Sequence, residues 1–118
     1  MRARDRFFVD GVACRLEGQV YRVANLGRGG FFAAGTHVPH LGQTLVMDLI
    51  LPNHGSCRVV GEVSWVNGAT EHWNDLPPGF GVRLTQIDRA DRDALDELLK
   101  QASPVLGPAQ PPPRGGGH

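Results

Sequence analysis

No run of apolar residues in this 118-residue chain approaches the roughly 18 needed to cross a bilayer as a helix. The first residues are charged, so neither a membrane helix nor a secretory signal is expected, and the protein is expected to be cytoplasmic. Cysteine is scarce. Cys14 and Cys57 each sit in a strand-like segment, and two thiols in a cytoplasmic chain read as small buried apolar groups, not as a disulfide or a metal site. Histidine offers no better ligand set: His37 and His40 straddle Pro39 without a third or fourth partner, so no metal is expected. Around Gly27-Arg28-Gly29-Gly30 there is no dinucleotide fingerprint, because Phe32 takes the place of the last glycine, and no P-loop lysine follows. No serine or cysteine nucleophile has a credible base, and no pair of carboxylates flanks an evident cleft. The chain reads as a non-enzyme without a cofactor. Aromatic residues make up only 7% and formal net charge is zero, which argues against a small barrel binding single-stranded nucleic acid.

What the chain does have is arginine, unevenly placed. Residues 1–30 hold six arginines against three acids, and the remainder carries the compensating negative excess, so an anion would be drawn to the N-terminal quarter. Two short elements stand out there: Arg2-Ala3-Arg4-Asp5-Arg6, and Asn25-Leu26-Gly27-Arg28-Gly29-Gly30. A guanidinium holds phosphate through two parallel hydrogen bonds, pairs with the O6/N7 edge of guanine, or stacks flat on a base. A short leader folding Arg2 and Arg6 over one ligand, with a glycine-rich turn presenting backbone N–H groups, would make an anion site.

Length and 41% apolar content suit one domain with a modest core. Six strands are expected: Val12–Leu16, Gln19–Ala24, Gly30–Gly35, Thr44–Leu51, Cys57–Val66 and Gly79–Leu84. In the fifth, Cys57, Val59, Gly61, Val63 and Trp65 alternate onto one face; Trp65 reads as a core or barrel-face aromatic, and Trp73 as a loop residue exposed to a partner. The period then changes. Asp88 caps a helix from residue 89, with Leu95, Leu98, Leu99 and Ala102 at helical spacing, ending at Ser103-Pro104. The fold class is therefore all-β with a C-terminal helix, over residues 1–102. Residues 103–118, rich in proline and glycine, are expected to form a disordered tail.

At Arg2 and Arg6, and at Asn25 and Gly30, the sequence resembles the PilZ domain family, bacterial receptors for cyclic di-GMP whose signature is RxxxR followed by [D/N]xSxxG. Val9 and the strand Gly79-Phe80-Gly81-Val82-Arg83-Leu84 also look like the family's pattern, and the resemblance extends to about Gln101. It implies a six-stranded antiparallel β-barrel. It also implies cyclic di-GMP as ligand, with Arg2 and Arg6 on phosphate and guanine, Asn25 on the guanine edge, and Gly30 permitting the turn. Arg4 and Arg28 are further cations within reach. Gly27 stands where the family has serine, and losing a hydroxyl bond to a charged group, about 1.5–3 kcal/mol, implies affinity weakened by one to two decades. The resemblance leaves two functions: a receptor passing the signal to a protein effector, or a nucleotide-independent interaction module in motility or pilus assembly.

Overall fold

The computed structural model describes residues 6–68 and 77–104. Along Thr44–Leu51 and Gly55–Asn67 buried residues alternate with more exposed ones, and curling the sheet until its edges meet encloses the buried face. The strands are β1 (Phe7–Phe8), β2 (Ala13–Leu16), β3 (Gln19–Gly27), β4 (Gly30–Ala34), β5 (Thr44–Leu51), β6 (Gly55–Asn67), β7 (Gly79–Ile87) and β8 (Ser103–Pro104); α1 (Arg89–Lys100) lies between the last two. Six of them pair in the order β2-β5-β6-β7-β4-β3, and β2 pairs again with β3, closing an antiparallel barrel. The six expected strands are the barrel strands.

The other two strands are two residues each. One edge of β3 is shared, with residues 19–22 pairing to β2 and Asn25 and Leu26 pairing to β1. Ser103 and Pro104 pair in turn with Phe8 and Phe7, so regular pairing continues two residues past Ala102. Arg2, Arg4, Trp73 and residues 105–118 lie outside the described residues.

Leu26, Phe31, Met47, Leu49, Val59, Val63, Phe80 and Val82 fill the barrel, and the same cluster takes in Leu95 and Leu99 of α1. These two are one helical turn apart, so one stripe of α1 faces the barrel. Each fully buried leucine contributes about 1.5–3 kcal/mol. Asp88 is the N-cap, as expected, but its side chain makes no capping bond; Arg92 N–H reaches its carbonyl at 2.8 Å. Ala102 falls beyond the helix. Among the described residues no helix is long and apolar enough to cross a membrane.

Two local features depart from the sequence reading. β3 does not stop at Ala24: it runs through Asn25 and Leu26 to Gly27, because Leu26 is fully buried and its pairing with Phe31 carries the strand on. Asn25–Gly27 is therefore strand, and the turn proper is only Arg28-Gly29. In β6 the register shifts between Val63 and Trp65. Val63 opposes Val82 and Trp65 opposes Gly81; Gly81 and Val82 are adjacent and point to opposite faces, so the bulge turns Trp65 out of the barrel. At the bulge, Ser64 Oγ donates to the Gly81 carbonyl at 3.3 Å.

Candidate functional site

Directly opposed residues of an antiparallel sheet share a face. Phe8 opposes Asn25, Asn25 opposes Phe32, Phe32 opposes Gly81, and Gly81 opposes Trp65. This row crosses five strands. Leu26 and Phe31, one residue along, belong to the core, so the row lies on the outer face of the barrel. There Phe32 and Trp65 stack at 5.0 Å between ring centroids and 19° between planes. They meet across β7 because Gly81 has no side chain: a Cβ there would fall 2.0 Å from Trp65 Nε1. Phe32 is fully buried, whereas Phe8 at the other end of the row is 56% exposed.

Arg6, the last residue of the first sequence element, meets the second element on this face. β1 runs antiparallel along the Asn25 end of β3, which brings Arg6, just before β1, back over Asn25. Arg6 Nη1 donates to Asn25 Oδ1 at 3.0 Å. Both are buried, Arg6 to 7% and Asn25 to 2% exposure. Burial lowers the Arg6 pKa to about 10, so the guanidinium is still charged at neutral pH. Its Nε has no hydrogen-bond partner among the described residues. Among the described residues its side-chain partner is a neutral amide, and a desolvated cation so placed suits an anion.

The remaining predicted residues divide. Gly27 opposes Gly30 across the Arg28-Gly29 turn. Gly30 does not have the positive φ that a turn glycine is expected to provide. It is needed because β4 lies against β7 there: a Cβ would stand 2.0 Å from the Val82 carbonyl oxygen. Arg28 is directed toward α1, where its Nε donates to Asp96 Oδ1 at 2.8 Å. Its carbonyl accepts from Arg92, and the Gly29 carbonyl accepts from Leu84 N–H at 2.8 Å, so the turn is tied to both helix and sheet. Arg28 thus clamps α1. Arg83 takes the position beside Gly30 on the outer face and pairs with Glu62.

Sequence reasoning missed Phe8, Phe32, Trp65 and Arg83 as neighbours of the motif. The signal for Phe32 was present: it is seven residues from Asn25 on the far arm of a two-residue hairpin, so strand pairing alone places it opposite. Trp65 was concealed by the bulge. The described histidines of the loop do other work: the His37 carbonyl accepts from Tyr21 Oη at 2.7 Å, and His40 N–H donates to Gln43 Oε1. Both thiols are free and buried, in keeping with the sequence reading; burial first, then nearby carboxylates, raises Cys14 to about 12 and Cys57 to about 11.

A buried guanidinium with an unused N–H, an amide, and aromatic rings on one face suit a ligand combining negative charge with a planar ring. Beside Phe8, a surface pocket of about 310 Å³ lies between Val9 and Asp10 and the end of α1 at Leu98, Gln101 and Ala102.

The family model "PilZ domain" matches residues 2–101. No curated protein sequence matches the chain. Among solved structures, YcgR from Escherichia coli in complex with c-di-GMP superposes with a TM-score of 0.59 at 13% identity, over 80% of this chain and 42% of that one. The likeness is one of fold, and the matched part is less than half of the larger protein.

Proposed function

Because this chain belongs to the PilZ family, we propose that it is a cyclic di-GMP receptor domain that binds the dinucleotide on the outer face of the barrel. The observation that carries this reading is the buried Arg6–Asn25 hydrogen bond, which joins the last residue of RxxxR to the first of [D/N]xSxxG. Arg6 supplies the charged donor for a phosphate or a guanine face. Asn25, released from Arg6 or shared with it, supplies the guanine-edge contact. Phe8, exposed at the end of the same row, offers a surface on which a purine stacks. Arg2 and Arg4 lie upstream in the leader and close over the ligand, and Gly27 and Gly30 form the floor. A ligand carrying two phosphates offsets the buried charge of Arg6, and its presence on the barrel changes the surface offered to a protein effector.

Gly27 contributes no hydroxyl, and affinity is correspondingly weak. Isothermal titration calorimetry with cyclic di-GMP tests the reading. Heat that saturates, and that is lost in Arg6→Ala, supports it. An absence of heat at high micromolar ligand, with none restored by Gly27→Ser, overturns it.

A second reading is favoured by the Arg28–Asp96 pair together with Gly27, which leave the motif with fewer free contacts for a nucleotide. The chain is then an interaction module, with Phe8 and the pocket at the end of α1 as the contact surface. A partner whose binding ignores both cyclic di-GMP and Arg6→Ala decides for it; a partner that requires the ligand decides against it.

A further inference from the structure

The tight hairpin between β5 and β6 and the first turn of α1 bring together three side chains that play no part in the ligand face. His54 sits in the turn, held between Asn53 and Gly55, which both have positive φ (63° and 111°). Cys57 follows in β6, fully buried opposite Leu49. Asp91 comes from the start of the helix, 34 residues later in the chain. The ligand atoms of all three lie within 4.8 Å of one another. His54 Nε2 and Asp91 Oδ1 are 2.9 Å apart, and the Cys57 sulfur lies within 4.8 Å of both.

We propose that His54, Cys57 and Asp91 form a binding site for a divalent transition metal of the zinc type, which clips α1 to the β5–β6 hairpin. One imidazole nitrogen, one thiolate and one carboxylate oxygen are the donor types that zinc and cobalt accept, and the sulfur disfavours magnesium and calcium. Metal–ligand bonds of about 2.0–2.3 Å set tetrahedral donors roughly 3.3–3.8 Å apart, so about 1 Å of closure completes the site. The fourth position is taken by water, admitted from the side of the exposed His54.

The metal-free arrangement is already organised for this exchange. Asp91 faces an imidazole nitrogen at hydrogen-bond distance with the thiol close by, and the ion takes the place of the protons held by these groups. The Cys57 thiol gives its proton to solvent, and Nε2 presents its lone pair while Nδ1 keeps the ring hydrogen. The chain spacing concealed this set, because His54 and Cys57 are near neighbours but Asp91 joins them only through helix docking.

The test is titration of the reduced, metal-stripped full chain with Co²⁺. One equivalent should produce tetrahedral d–d absorption together with a sulfur-to-cobalt charge-transfer band, both displaced by Zn²⁺. Cys57→Ser should lose the charge-transfer band. His54→Ala, at an exposed position that leaves the core intact, should weaken Co²⁺ binding by at least about tenfold. Zn²⁺ should also raise the thermal midpoint of the native chain, reversibly with chelator, and should not do so for His54→Ala. The proposal is overturned if one equivalent gives no charge-transfer band, if the band persists in Cys57→Ser, or if His54→Ala binds as tightly as the native chain. Should Cys57→Ser fail to fold, the His54→Ala comparison decides.

Discussion

Phe32 of β4 and Trp65 of β6 are in stacked contact although a whole strand, β7, runs between theirs. The contact exists because Gly81 leaves β7 bare at that point and a bulge rotates Trp65 outward. The aromatic pair therefore anchors one end of the row that also contains Asn25, and the proposed ligand face and the barrel wall are built from the same register.

Gly81→Ala should break this pair. A methyl group has no room beneath the indole, and forced overpacking costs about 1–3 kcal/mol. For a domain of this size that lowers the thermal midpoint by roughly 4–8 °C per kcal/mol. The near-ultraviolet circular dichroism of Trp65 should change as well; an unchanged spectrum and midpoint would show that the stacking is not constrained by Gly81.

Asn25→Ala should leave the Arg6 guanidinium buried without its described hydrogen-bond partner. The expected loss is about 1–3 kcal/mol, read from urea denaturation midpoints. Adding Arg6→Met to that variant should restore part of the stability, because the charge without a partner is then removed. Strict additivity of the two substitutions in a double-mutant cycle would mean that the hydrogen bond contributes nothing.

Gly27→Ser should strengthen cyclic di-GMP binding about 10- to 100-fold, the equivalent of one hydrogen bond to a charged group. Gly27 lies outside the left-handed region, so serine meets no backbone strain. Calorimetric titration of the two forms side by side checks this, and equal affinities would show that the family's serine contributes nothing at this site.

Alkaline pH should destabilise the metal-free, reduced chain. Both thiols have folded pKa values raised from 9.0, to about 12 for Cys14 and about 11 for Cys57. A raised folded pKa adds stability that is complete below the unfolded value and is lost as pH climbs through the interval above it. Arg6 acts in the opposite sense: its folded pKa, lowered from 12.5 to about 10, relieves a cost only above about pH 10. The cleanest window is therefore pH 9–10, where urea midpoints should fall, and fall less in Cys14→Ala. A flat or rising profile there would contradict the burial of the thiols.

Arg28→Ala should cost little, at most about 1 kcal/mol, because its pair with Asp96 is half exposed. Leu95→Ala, on the buried stripe of the same helix, should cost about 2–5 kcal/mol. Comparing their thermal midpoints separates the surface clamp from the apolar docking that holds α1.

Much of the fold was legible in the chain. The alternation in β6 and β7, the turn residues between strands and the switch to helical spacing after Asp88 follow from local geometry, because each strand or helix must gather its apolar residues on one side. Arg6 and Asn25 were legible as candidates for the same reason that any short motif is: residue type and spacing. Their contact was not, since it depends on β1 adding to the edge of β3. The pairing of Arg28 with Asp96 was not legible, because nothing local to the turn announces a partner 68 positions away.

By itself, the sequence determined the barrel strands, the helix, the buried thiols and the arginine-rich start, all consequences of periodicity and composition within a few residues. Only the tertiary structure decided which face each motif residue occupies. Closure of the barrel brings strands distant in the chain into register, one bulged residue reverses a side chain, and the helix settles where Leu95 and Leu99 can be buried. That docking paired Arg28 with Asp96, and set Asp91 beside His54 and Cys57.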